Sequence, residues 1–163
     1  MIYKEDKNMS IEKVRAYFRQ YGIEDRVREV EESSATVEAA AMALGCEPKR
    51  IAKTLSFYLG DSAILVVTAG DRKIDNKKYR AQFGCKAQML KIEDVESMIG
   101  HAVGGVCPFA IHAGIEVYLD VSLQRFDTVF PAAGSGNSMI ELNIKELEEY
   151  SHYKEWVDVC KER

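Results

Sequence analysis

The sequence predicts an α+β domain with a mixed or mainly antiparallel sheet, and three observations carry that prediction. The β-rich runs come in hairpin-like pairs, not in regular strand–helix alternation. Amphipathic helical patterns stand before, between and after those runs. The 163 residues, 47% hydrophobic and 29% charged, are enough for one packed core and too few for two ordinary ones, so a single domain is expected over residues 1–163.

The elements follow in order. In SIEKVRAYFRQYG the residues Ile11, Val14, Tyr17, Phe18 and Tyr21 recur at helical spacing, with Ser10 as N-cap and Gly22 as stop. REVEESSATVEAAAMALG runs from a short extended piece into a helix that starts near Ser34 to Thr36 and ends at Gly45. RIAKTLSFYLGDSAILVVTAGD reads as two strands joined by a turn at Gly60, Asp61 and Ser62, the centre of the sheet. Asp75 caps a helix that reaches Phe83 and stops at Gly84; KAQMLK fits a short strand, and IEDVESMIG a helix closed by Gly100. HAVGGVCPFAI, residues 101–111, reads as a buried strand interrupted by glycine and proline. IEVYLD, DTVFPAAG and SMIELN are strand-like, with GSGN as a turn before the last of them. Asn143 caps the C-terminal pattern, Glu146 stands where a capping-box acid belongs, and the pattern reads as one helix or two.

Composition excludes several classes. MIYKEDKNMS lacks the apolar core of a signal peptide, and no run of about 18 apolar residues could cross a bilayer, so a cytoplasmic protein without a membrane partner is expected. Cys46, Cys85, Cys107 and Cys160 form no C-x-x-C pair, so four free thiols are expected, with neither a zinc site nor a redox dithiol. The net charge of −4 conceals an asymmetry: residues 49–91 carry 10 basic and 3 acidic groups, a local +7, whereas residues 92–163 carry 5 and 13. Such a segment is either a phosphate-attracting field or an ordinary solvated face.

Four places hold candidate chemistry. Strand alternation puts Lys53 on one face with Ile51 and Leu55, opposite Ala52, Thr54 and Ser56. An ammonium there either snorkels to solvent or is held for a phosphate or carbonyl oxygen. In GGVCP, Gly104 and Gly105 permit close backbone approach, and Pro108 holds Cys107 extended. That loop is either a bulge or a set of amides that could receive a carbonyl oxygen or oxyanion. Cys107 and His112 raise a thiol dyad, which a continuous strand would place on opposite faces. His101 and His152 lack partners at metal spacing and read as core or surface residues. In AAGSGN, Gly134, Ser135, Gly136 and Asn137 are what any tight turn needs. No Walker-type loop, dinucleotide fingerprint or G-x-S-x-G elbow occurs.

Taken in order, VEAAAMALG, IAKTL, GGVCPFA, VYLD and VFPAAGSGNSMIEL resemble the YbaK/EbsC family, whose relatives include the editing domain inserted in bacterial prolyl-tRNA synthetases. The resemblance runs from about residue 10 to about residue 150; its most specific parts are Lys53, Thr54 and Leu55 and the G-x-x-x-P of Gly104 and Pro108. It implies a bent, barrel-like mixed sheet surrounded by helices. It also implies a trans-acting deacylase that hydrolyses the ester of mischarged tRNA, with cysteine, alanine or another small amino acid on tRNA for proline. On this reading no metal and no cofactor is called for, and DNA is not a partner. Mischarged tRNA is the partner, and prolyl-tRNA synthetase is a second one that the resemblance allows.

The resemblance assigns Lys53 to the terminal adenosine and its phosphate, and the loop from Gly104 through Gly105, Val106 and Cys107 to Pro108 to the aminoacyl group. Thr54 and the Gly134–Asn137 turn join the substrate contacts, and Arg72, Lys73, Lys77 and Lys78 become candidate phosphate contacts on the acceptor stem. An aminoacyl ester is already activated, so positioned amides and a water, a 2′-hydroxyl or a substrate thiol could suffice. There are departures: the turn lacks the basic residues of the cysteine-editing branch, and Ala132 and Met139 stand where that branch carries a serine and an acid. A non-catalytic module that binds tRNA or a synthetase is the alternative. A thiol hydrolase using Cys107 is a third reading, and alkylation separates it from the others.

Overall fold

The computed structural model describes residues 2–30 and 36–163, with residues 2–9 as backbone only. Its helices are α1 (Ile2–Arg19), α2 (Val37–Leu44), α3 (Asn76–Phe83), α4 (Ile92–Ile99) and α5 (Ile144–Ser151). Its strands are β1 (Val27–Glu29), β2 (Ile51–Leu59), β3 (Ser62–Ala69), β4 (Arg72–Ile74), β5 (Glu116–Asp120), β6 (Thr128–Pro131), β7 (Ser138–Ile140), β8 (Leu142–Asn143), β9 (Glu155–Val157) and β10 (Cys160–Glu162). Six strands form a mixed sheet in the order β8-β6-β2-β3-β5-β9, curled into a half-barrel, while β1–β7 and β4–β10 form two short antiparallel ladders.

The hairpin at the centre follows from its sequence. Gly60 takes φ +61, which lets the chain turn back within two residues, and every residue of β2 from Ala52 to Leu59 has a partner on β3. Outside the hairpin the sheet is largely parallel: β6 runs with β2, β5 with β3, and β9 with β5. Alternation along β3 then builds two cores. Leu65, Val67 and Ala69 face α1, whose Val14 and Phe18 are fully buried, together with Val95 and Ile99 of α4. Ile64 and Val66 face α3 through Phe57 and the buried ring of Tyr79. Val37, Ala40 and Ala41 of α2 cover Ile51 and Phe130 at the sheet's other end, and small alanines let that helix lie close.

The caps of α2 (Thr36, Gly45), α3 (Asp75, Gly84) and α5 (the Asn143–Glu146 capping box) stand where the sequence puts them, as does Gly100 at the end of α4. Residues 31–35, where the α2 helix was partly expected to begin, lie outside the described residues. Four expectations are corrected. Ser10 lies inside α1 and spends its hydroxyl on His101, not on a cap. KAQMLK makes only a bridge from Met89 to Phe57, held by Tyr58 N–H to the Gln88 carbonyl (2.9 Å) and Leu90 N–H to the Ser56 carbonyl (3.1 Å). Residues 101–111 form an irregular loop with no ladder, because glycines, Pro108 and a positive φ at Ala110 prevent a strand register. Beyond α5, His152 adopts φ +49 and ends the helix, and the apolar residues after it form β9 and β10 where a second helix was an option.

Candidate active site

On the side of β2 away from β3, its edge is taken at Ile51 and Ala52 by β6, and at Ser56 to Tyr58 by residues 88–90. Between these contacts, residues 53–55 have no neighbouring strand among the described residues. The antiparallel ladder turns alternate residues outward, and Ser56 and Tyr58 are bonded on this edge. Thr54 therefore directs its N–H and C=O into the same gap. A cavity of about 400 Å³ occupies it. The sheet edge, α2, α4, the glycine loop and the Ser135–Ser138 turn all contribute to its walls.

Lys53 shares a face with Ile51 and Leu55, as alternation predicts, but it stands where neither neighbouring core reaches. Ile51 packs under α2 and Leu55 against the α3 side, and Lys53, exposed between them, lines the cavity. It makes no ion pair or hydrogen bond among the described residues. Beside it, the Thr54 Oγ1 is buried with no partner among the described residues, an uncommon state for a hydroxyl that can both donate and accept. The walls that complete the cavity are apolar: Val37, Ile51, Phe130, Ala132, Val95 and Met139.

The glycines of the loop serve two different ends. Gly104 takes φ +93 with open space around it and lines the cavity, as does Val106; neither amide has a partner among the described residues. Gly105 is buried, and its N–H closes a turn on the Ala102 carbonyl (3.0 Å). A Cβ on Gly105 would come within 2.6 Å of the Gly134 carbonyl oxygen and 2.7 Å of Ser135 Cα. Gly134, at φ +100, in turn lies against the Ser10 carbonyl of α1, where a Cβ would come within 2.7 Å. Backbone therefore touches backbone across three segments, which only glycine allows.

Behind this contact lies a buried network that the sequence shows only as scattered residues. His101 is fully buried; its Nε2 donates to the Phe109 carbonyl (2.6 Å), so its Nδ1 accepts from the Ser10 hydroxyl (2.6 Å). Burial pushes the imidazole down to about 4, so it stays neutral at physiological pH. Lys13 Nζ donates to the Gly100 carbonyl (2.7 Å), a second tie from α1 to the loop. Cys107 lies beneath the loop with Sγ 3.5 Å from His101 Nε2, and complete burial pushes its thiol up to about 12. A thiol so placed is a packing group, not a nucleophile. His112 is exposed, with its ring beside Gly100, and makes no contact with Cys107. Pro108 is buried below the cavity with Cys107.

The turn after β6 is rigid. Ser135 Oγ lies 2.6 Å from Ser138 Oγ and 2.8 Å from Asn137 Oδ1, and Asn137 Nδ2 donates to the Val30 carbonyl (3.0 Å), tying the turn to the chain after β1. Ser135 and Gly136 line the cavity; Gly134 and Asn137 stand behind them. None of Arg72, Lys73, Lys77 and Lys78 lines it. Arg72 pairs with Asp71 and Glu162 and Lys78 with Asp158 in a separate groove, and Lys73 and Lys77 are exposed on β4 and α3. Among the described residues no group of three or more His, Cys, Asp or Glu converges to hold a metal ion, and no helix is long and apolar enough to cross a membrane. Ser10, His101 and Ser138 are the supporting residues that motif reading missed.

Residues 31–150 match the model of the family described as "Aminoacyl-tRNA editing domain". The chain belongs to that family. It is 57% identical over 155 residues to the "Uncharacterized protein YwhH" of Bacillus subtilis, covering 94% of this chain and 99% of that one. It is 31% identical over 114 residues to the "Putative Cys-tRNA(Pro)/Cys-tRNA(Cys) deacylase EbsC" of Enterococcus faecalis, covering 68% and 69% of the two chains. Its fold superposes with a TM-score of 0.84 and 27% identity on the crystal structure of "a putative trans-editing enzyme for prolyl tRNA synthetase", covering 93% of this chain and 97% of that one. For this editing domain the curled mixed sheet is thus the family fold, and the cavity beside Lys53 is its candidate active site.

Proposed function

We propose that this editing domain is a trans-acting aminoacyl-tRNA deacylase whose substrate is tRNA for proline carrying a small amino acid. One observation carries the reading. An unpaired lysine, an orphaned hydroxyl and two unpaired loop amides surround one cavity that offers no side-chain nucleophile. A cavity of about 400 Å³ falls within the range of small-ligand sites and exceeds what a small amino acid fills alone, leaving room for the adenosine that bears it. Lys53 holds a phosphate or ribose oxygen of the terminal nucleotide. The N–H groups of Gly104 and Val106 receive the ester carbonyl oxygen as negative charge develops on it. Gly105, whose amide is committed to Ala102, acts by holding this loop against Gly134. A water or the neighbouring 2′-hydroxyl attacks, which an activated ester permits without a catalytic triad.

The apolar wall of Ala132, Met139 and Phe130 suits a small apolar or sulfur-bearing side chain, alanine or cysteine, over serine, whose hydroxyl would lose its water there. Prolyl-tRNA synthetase, the source of such mischarged tRNA, is a second partner on this reading. The test is release of amino acid from tRNA for proline charged with alanine, cysteine or serine. The wild type is expected to hydrolyse the first two faster than serine, and Lys53→Ala to lose about 100-fold in kcat/KM. Esters that survive at the buffer rate while the tRNA still binds would instead establish a non-catalytic binding module.

A further inference from the structure

The mouth of the cavity carries exposed apolar side chains that nothing in the chain covers: Met89 is 56% exposed, Ile92 76% and Val103 53%, and all three line the opening. Isolated exposed hydrophobes need no explanation, but three around one cavity form a contiguous rim. Lys86 and Lys91 flank two of them in the same segment, both exposed and without an ion pair among the described residues. The exposed acids of α4, Glu93 and Glu96, do not line the opening. The segment is held in place, since Gln88 and Leu90 bond to β2 and the Tyr58 hydroxyl accepts from Lys91 N–H (3.1 Å) while donating to Asp94. A fixed strip that alternates cation and apolar side chain, and leads to an unpaired lysine inside a cavity, has the chemistry of a single-stranded nucleic-acid track: charge for phosphates and flat apolar contact for unstacked bases.

We infer that the strip Lys86, Met89, Lys91 and Ile92, with Val103 opposite, binds the unpaired 3′-terminal nucleotides of the RNA and feeds the last one into the cavity. The inference rests on the deacylase reading for the identity of the RNA, not for the binding itself. It also moves the nucleic-acid path away from Arg72 and Lys78, whose charges are already paired in a separate groove.

Binding of uncharged tRNA for proline tests it, measured by fluorescence anisotropy with the intact 3′ end and with the unpaired nucleotides removed. Removal is expected to weaken binding at least tenfold. The double variant Lys86→Glu and Lys91→Glu should weaken the intact RNA by a similar factor, flatten its salt dependence and leave the trimmed RNA unchanged. Met89→Ser with Ile92→Ser should do the same without altering the salt slope. Equal binding of both RNAs by the wild type would overturn the inference, as would a loss confined to Arg72→Glu and Lys78→Glu. Hydrolysis of an aminoacyl-adenosine, too short to reach the strip, is the companion measurement: strip variants should retain it within about twofold. If the 3′ end is bound and no ester is cleaved, the deacylase reading fails and the strip stands; cleavage with no preference for the intact 3′ end gives the reverse.

Discussion

Thr54→Val separates a residue kept for ligand from one kept for the fold, because the two roles predict opposite signs. The Thr54 hydroxyl is buried at the cavity and has no partner among the described residues. Valine has nearly the same shape and favours a strand, so the substitution leaves packing intact and removes only the unpaired hydroxyl. An unsatisfied buried hydroxyl costs about 1–3 kcal/mol; at the low end, since the cavity is open to solvent, the variant gains about 1 kcal/mol. For a chain of this size that gain corresponds to a melting temperature about 2–4 °C higher. If the hydroxyl contacts the substrate, losing that hydrogen bond costs about 1–1.5 kcal/mol in the transition state, which is about a tenfold fall in kcat/KM. The assays are thermal unfolding without ligand and deacylation under single-turnover conditions. A variant that melts lower, or one that hydrolyses as fast as the wild type, refutes the argument that the hydroxyl is held in reserve for substrate.

Three further outcomes follow from the same geometry. Gly105→Ala must move the glycine loop about 0.8 Å off Gly134 to bring its Cβ to ordinary contact, so it should lower stability by about 1–3 kcal/mol and kcat/KM by about 100-fold, read by melting and single-turnover deacylation. Iodoacetamide at pH 7 should leave activity intact, because burial holds the Cys107 thiol up at about 12; inactivation traced to that residue by mass spectrometry would revive the thiol mechanism. His101 titrates near 6.5 when unfolded and about 4 when folded, so its contribution is fully present above pH 6.5 and lost as pH falls toward 4. That contribution is on the order of 3 kcal/mol, and denaturant titrations across this window should show a fall that His101→Gln flattens.

What the sequence revealed and what it hid divide along physical lines. Helix ends were legible wherever a cap is a local event, as at Thr36, Asp75, Asn143 and Gly100, since those signals depend on four or five consecutive residues. The hairpin was legible for the same reason. The strand reading of residues 101–111 failed because its apolar residues are buried by contacts with α1 and the far sheet, so burial there says nothing of the backbone's shape. The C-terminal residues fold as β9 and β10 because they find β5 and β4 as partners, which periodicity over a short window cannot register. In the site, Lys53 and Gly104 were legible as residues whose types make little sense in a plain core. Gly105 was grouped with Gly104 as an amide donor, and the distinction between them depends on Gly134, 29 positions on, and on which carbonyl each amide meets.

That dependence explains how a site can do chemistry with so few reactive side chains. The groups offered to an ester are backbone amides, and amides can be aimed only by fixing the chain that bears them. Here the fixing is done by contacts with no tolerance: Gly105 on Gly134, Gly134 on Ser10, and His101 bonded to both Ser10 and the Phe109 carbonyl. Helix α1 lies outside residues 31–150, which match the editing-domain family, yet two links of that chain of contacts end on it. It follows that Ser10→Ala, which deletes only the hydroxyl that holds Nδ1, should lower kcat more than it raises KM, because it loosens the amides without touching Lys53. A change confined to KM would mean that the helix serves binding alone, and the loop amides would then need another support.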